Sequence, residues 1–223
     1  MMKFLTIAIL AFSLFAAACE DPAANKTKAT INEPSANKPA NAANTANTAT
    51  APATKGDTLA ITAENSKVNF TGSKVTGKHE GGFKQFTGTI ELVNGKAEES
   101  SVSVDIDADS IFADDEKLTG HLKSADFFDV AKFPKVTFKS TKIAADAAKG
   151  ADNYTVTGDF QIHGVTKSIS FPATIKVGTD DVTVDSDFSI NRKDFGIIYA
   201  GKADDLIRDD VVIKLDLKTS RKK

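Results

Sequence analysis

Apolar and polar residues alternate with a period of two through the last 166 residues of this 223-residue chain, Thr58 to Lys223. Val68 and Phe70 open the pattern. Phe86, Gly88, Ile90 and Leu92 follow, stopping at the turn pair Asn94-Gly95. Val102, Val104 and Ile106 form a third run, and Val136 with Phe138 a fourth. Tyr154 through Ile162 and Ile169 through Val177 mirror each other. Val182 to Ile190 and Val211 to Leu217 complete the set. Side chains on a strand point alternately to its two faces, so this pattern predicts half-buried antiparallel strands. About eight of them at short spacing predict a sandwich or a barrel. Pro172 has no N–H to give a ladder, so it predicts a bulge or local opening in its strand.

One segment departs from the alternation. Asp114 to Pro134 carries Leu118 and Leu122 at i, i+4 after the acidic start Asp114-Asp115-Glu116. Carboxylates favour a helix N-terminus, so a short helix capping one end of the sheet is expected here.

The region before Thr58 has a different character. Lys3 precedes an apolar run from Phe4 to Phe15, then come Ala16, Ala17 and Ala18, and then Cys19. That is the anatomy of a secretory signal over residues 1–18. The run is shorter than the roughly 20 residues a membrane span needs. Cys19, the one cysteine of the chain, stands where bacterial lipoproteins carry their acylated cysteine. Ala16 stands where such lipobox sequences usually have leucine. The expectation is an exported lipoprotein of the bacterial cell envelope, held on the membrane through Cys19; two or more acyl chains anchor stably. Residues 20–57 hold 11 Ala, 6 Asn, 6 Thr and 4 Pro, with Ile31 the only large apolar side chain. Such a composition buries too little surface to offset chain ordering, which predicts a disordered tether over 19–57. The folded domain is placed at 58–223.

Composition narrows the chemistry. Lys plus Arg (28) nearly balances Asp plus Glu (30), leaving no footprint for nucleic acid. A single cysteine excludes an intrachain disulfide and a cysteine-based metal site. Asp105, Asp107, Asp109 and Glu116 have the spacing of a calcium loop, but Ser110 replaces its glycine and a strand precedes it. His79, His121 and His163 show no i, i+4 pair and no His-Glu-x-x-His. His163-Gly164 reads instead as a hairpin turn. No Gly-x-Ser-x-Gly elbow is present. Neither an enzyme, a metal site nor a cofactor is expected.

An apolar stripe remains. Phe70, Phe86, Phe138, Phe160, Phe171 and Phe188 fall on one face of six strands, with Ile90, Val104, Ile162 and Ile175 beside them. Periodicity alone leaves two readings open, a packed core or a barrel with an apolar cavity. Gly72, Gly88, Gly158 and Ala173 leave room along the wall in the second reading. Trp is absent, so the interior brings no indole N–H that needs a partner.

Two longer stretches carry a resemblance. They are His121-Leu-Lys-Ser-Ala-Asp-Phe-Phe-Asp-Val-Ala-Lys-Phe-Pro-Lys-Val-Thr-Phe138 and Tyr154-Thr-Val-Thr-Gly-Asp-Phe-Gln-Ile-His-Gly-Val-Thr-Lys167. Val68-Asn-Phe70, Gly82-Phe83, Phe86-Thr-Gly88, Arg192 and Asp194-Phe195-Gly196-Ile197 follow in matching order. Together they resemble the YceI-like family. The resemblance implies an all-β, extended, lipocalin-like antiparallel barrel of about eight strands. It also implies a non-catalytic carrier holding a polyisoprenoid or similar long-chain amphiphile. The ten apolar residues above then line the cavity, and His121, Lys123 or Arg192 meet the headgroup. The other readings are a carrier for a fatty acid or amide, and an envelope interaction lipoprotein with a filled barrel. The family is usually periplasmic with an ordinary cleaved signal, and the lipobox-like Cys19 departs from that.

Overall fold

A computed structural model describes residues 20–34 and 56–221. The alternating runs become one curled, almost wholly antiparallel sheet. Eight of its strands are at least eight residues long: β4 (Lys67–Lys74), β6 (Phe86–Val93), β7 (Lys96–Asp107), β9 (Lys135–Ala145), β10 (Asn153–Ile162), β11 (Val165–Val177), β12 (Asp181–Asn191) and β15 (Asp210–Ser220). These are the eight runs read from the sequence. Shorter strands fill the edges: β3 (Asp57–Thr62), β5 (Gly77–Phe83) and β8 (Ile111–Ala113), while β13 (Gly201–Lys202) and β14 (Asp205–Leu206) pair as a separate hairpin. The hydrogen-bonded order is β3-β6-β7-β9-β10-β11-β12-β15-β4-β5-β8. Arg221 draws the two sides of this half-barrel together. Its Nη2 lies 3.3 Å from Asp57 and its Nη1 donates to the Gly178 carbonyl.

Turn chemistry sets the register. Asn94 and Gly95 both take positive φ, as the tight hairpin between β6 and β7 requires. His163 and Gly164 do the same between β10 and β11. A Cβ on Gly164 would stand 2.4 Å from the Phe133 ring, so glycine is needed there for space as well as for φ. The two long sequence stretches therefore meet at this turn. The expected cap is helix α1, Glu116–Lys123, with Asp115 accepting from Leu118 N at 2.7 Å. It buries Leu122 over one end of the sheet.

The tether reading needs a correction. Residues 20–34 lie on the barrel wall. Strand β1 (Thr27–Lys28) runs parallel to Phe188–Ser189 of β12, and β2 (Thr30–Asn32) runs antiparallel to Ser168–Ser170 of β11. The cause lies in β11. It pairs with β12 only from Thr174↔Asp185 to Val177↔Val182. Around Pro172 the two strands part, and the opening predicted there leaves backbone groups that must still be satisfied. The N-terminal strap satisfies them and buries Ala23 and Ala29. Ion pairs fasten it, among them Lys28–Asp210 at 2.7 Å and Lys167–Glu33 at 3.2 Å. Composition measures side-chain burial and is blind to such main-chain pairing. The signal at 1–18, Cys19 and residues 35–55 lie outside the described residues.

Candidate ligand-binding site

The inward faces of the strands enclose two cavities stacked along the barrel. The inner chamber has a volume of about 130 Å³, and no polar atom is exposed to it. Ile90, Val104, Phe138, Phe160, Phe171, Ile175 and Phe188 line it, seven of the ten expected residues. Phe171 and Phe188 stack with centroids 4.3 Å apart, and Phe138 packs on Phe171 at 5.6 Å. An apolar cavity of about 150 Å³ stays dry and takes up a benzene-sized group. The chamber therefore suits a short stretch of hydrocarbon.

Above it, under α1, opens a vestibule of about 360 Å³. That lies within the roughly 300–1,000 Å³ of small-molecule sites. Phe70 and Ile162 of the expected set face it, with Leu118, Leu122, Phe127, Phe128, Phe195, Ile197 and Tyr199. Phe160 lines the chamber and Phe195 the vestibule, and their rings meet edge to face at 5.3 Å. This contact, with Ile213 at the same level, divides the interior. Phe86 is buried in the core beside neither cavity.

The glycines behave unequally. Gly72 borders the vestibule with nothing within 4 Å of where a Cβ would stand. The space beside Gly158 is filled, since a Cβ there would lie 2.4 Å from Phe138 Cζ. Gly88 is closed off by the Ser103 carbonyl at 2.5 Å. Of the four small residues expected to leave room, Gly72 is the one that opens on a cavity; Ala173 is buried in the core.

Four of the five basic residues lining the vestibule, Lys74, His79, His121 and Arg192, are already engaged; Lys202 is exposed and has no ion pair among the described residues. Arg192 is buried. It donates from Nη1 to Ile197 O at 2.7 Å, from Nε to Arg208 O at 3.1 Å and from Nη2 to Ile207 O at 3.3 Å, and it pairs with Asp209. Burial pulls its pKa below the ordinary guanidinium range, against the raising effect of the Asp209 charge. It ties the 197–209 loop to the barrel. His121 contacts Asp126 at 2.8 Å and stands edge-on to Phe127 and Tyr199. His79 contacts Asp114 at 2.8 Å. The Glu80 backbone N–H and then His79 hold the Asp114 carboxyl below its ordinary value. Lys74 pairs with Asp205, and this bond lowers the Asp205 pKa. Lys123 lies 3.1 Å from Asp109, away from both cavities. Ser73 borders the vestibule, and its buried Oγ has no hydrogen-bond partner among the described residues.

Phe195, Ile197 and Tyr199 escape the periodicity argument. They lie in a short helical turn and a loop after β12, where no period of two exists. The Asp194-Phe195-Gly196-Ile197 motif is the one sequence signal for Phe195 and Ile197, and Tyr199 has none.

Comparison with known proteins completes the description. The profile of the YceI-like domain matches residues 59–219. The chain belongs to the YceI-like family. A UPF0312 protein of Pseudomonas putida strain W619 is 34% identical over 140 residues, 60% of this chain and 71% of that one. The crystal structure of Burkholderia cenocepacia BcnA superimposes with a TM-score of 0.64 at 27% identity, covering 71% of this YceI-like chain and 98% of BcnA. A polyisoprenoid binding domain from Saccharophagus degradans shares the fold, with a TM-score of 0.59 at 18% identity over 74% of this chain and 99% of that domain.

Proposed function

We propose that this protein is a non-catalytic carrier that holds a polyisoprenoid or similar long-chain amphiphile, tethered to the bacterial envelope through an acylated Cys19. The observation that carries the reading is the carbon-lined chamber lying next to a largely apolar vestibule, with Ile213 common to both walls. The polyisoprenoid binding domain that shares the fold supports the ligand class. Each buried methylene contributes up to about 0.8 kcal/mol, so one five-carbon isoprene unit contributes about 3–4 kcal/mol before ordering costs. The terminal unit enters the chamber and later units occupy the vestibule once the Phe160–Phe195 contact parts. The headgroup sits near Ser73. A phosphate there would have to compete with Asp205, Asp114, Asp126 and Asp209 for Lys74, His79, His121 and Arg192, which leaves Lys202 as the lining cation without an ion pair among the described residues.

Mass spectrometry of an organic extract of the purified protein tests this. The expected result is a co-purified long-chain lipid, or stoichiometric uptake of a prenyl quinone. An extract without lipid and no uptake of prenyl quinones or fatty acids would leave a ligand-free envelope protein. Recovery of a fatty acid or amide alone would change the ligand class. The intact mass of the membrane-extracted protein tests the tether, through the acyl increment on Cys19.

A further inference from the structure

We infer that the mouth of the vestibule is a docking face for a lipid bilayer. Among the described residues the exposed large hydrophobics are Val75, Ile198 and Leu206, at 54%, 70% and 48% exposure. Each is adjacent in sequence to residues that line the vestibule: Val75 follows Lys74, and Leu206 lies between Asp205 and Ile207. Val75 N donates to Leu206 O at 3.2 Å, which joins the β4–β5 turn to the 197–209 loop. Ile198 stands between Ile197 and Tyr199, both of which line the vestibule. Scattered exposed hydrophobics need no explanation; three gathered around the entrance to an apolar cavity do.

Two further observations select a bilayer. The first is where the chain enters the fold. Asp21 lies 3.5 Å from Arg208, and Arg208 follows Ile207 of the vestibule wall. The described chain therefore begins at Glu20, close to the vestibule wall. Cys19, the proposed acyl anchor, is the residue before it in the sequence. The second is charge. Lys74 of the lining pairs with Asp205 and the neighbouring Arg208 with Asp21, while Lys202 has no ion pair among the described residues. A rim with mostly paired charges, one cation left for a lipid phosphate and protruding aliphatic side chains fits a zwitterionic phospholipid surface. Docked this way, the vestibule faces the hydrocarbon from which a ligand would come. The purpose rests on the carrier reading; the docking geometry does not.

The test uses the full chain with Leu206→Cys or Thr179→Cys, each carrying a nitroxide label, on vesicles of phosphatidylcholine and phosphatidylethanolamine. Thr179 lies in the β11–β12 turn at the opposite end of the barrel. The parent chain, labelled in parallel, corrects for Cys19. The label at 206 is expected to be shielded from a water-soluble relaxant and reached by oxygen, and the label at 179 the reverse. Equal accessibility to water at both positions would overturn the inference. In a second measurement, a Val75→Ser, Ile198→Ser, Leu206→Ser chain should transfer a prenyl quinone between vesicles about tenfold more slowly than the parent. An unchanged transfer rate counts against docking. Uptake of the same quinone by the parent chain in solution judges the carrier reading separately.

Discussion

Phe160 carries most of the site's logic at the scale of single residues. It stands between the two cavities with its ring against Phe195. A carboxylate at this place would have no partner and would repel hydrocarbon. Phe160→Asp should abolish binding of a prenyl quinone, while Phe160→Leu should keep it within a few-fold; circular dichroism shows whether each is folded. Retained binding in a folded Phe160→Asp chain would mean that this face does not meet the ligand. Arg192 shows the opposite case. The sequence marks it as a headgroup candidate because it is a cation in a matching motif. Its donors instead serve three carbonyls and Asp209. Arg192→Ala takes the donors from three carbonyls, while the half-exposed Asp209 keeps Lys193, so urea unfolding should show a loss of about 1–3 kcal/mol. Normal stability with loss of binding to a charged-head lipid alone would restore the headgroup role. A charged residue's sequence position does not reveal which of its neighbours will claim it.

At the scale of elements, the strands were legible because alternation reports burial directly. All eight long strands coincide with runs of the pattern, and α1 follows from its acidic start and the Leu118/Leu122 pair. Strand β5 was not legible: Gly77, Gly81 and Gly82 supply little apolar signal, and packing against the Phe70 ring holds the strand there. The strap was misread for a different reason. Its side chains argue for disorder, but its backbone closes the seam that Pro172 opens between β11 and β12. Ala29→Asp would bury an unpaired charge under the strap and lift it. Hydrogen exchange should then quicken at residues 168–170 and 188–189, while 174–177 stay protected. Unchanged protection at 168–170 would show that the strap is not what covers this edge.

At the scale of the whole molecule, the interior is shaped by which long side chains occupy which spaces. Periodicity located the inward face, and seven of the ten expected residues line the chamber. It could not show the partition, because that depends on Phe195 reaching inward from a segment with no period. Nor could it show that Phe138 fills the gap at Gly158 while Gly72 stays open. The resulting arrangement is a dry inner chamber, a wider vestibule and a mouth beside the point where the chain enters the fold. If hydrocarbon burial drives binding, affinity follows chain length and is insensitive to the head. The decisive measurement is a titration of the protein with prenyl alcohols and quinones of increasing isoprene number. Affinity should rise by at least tenfold per added unit until the two cavities are full. The same series on Gly72→Leu, which narrows the vestibule alone, should reach its plateau at a shorter chain. Affinity independent of chain length, or no binding at any length, would contradict the carrier reading.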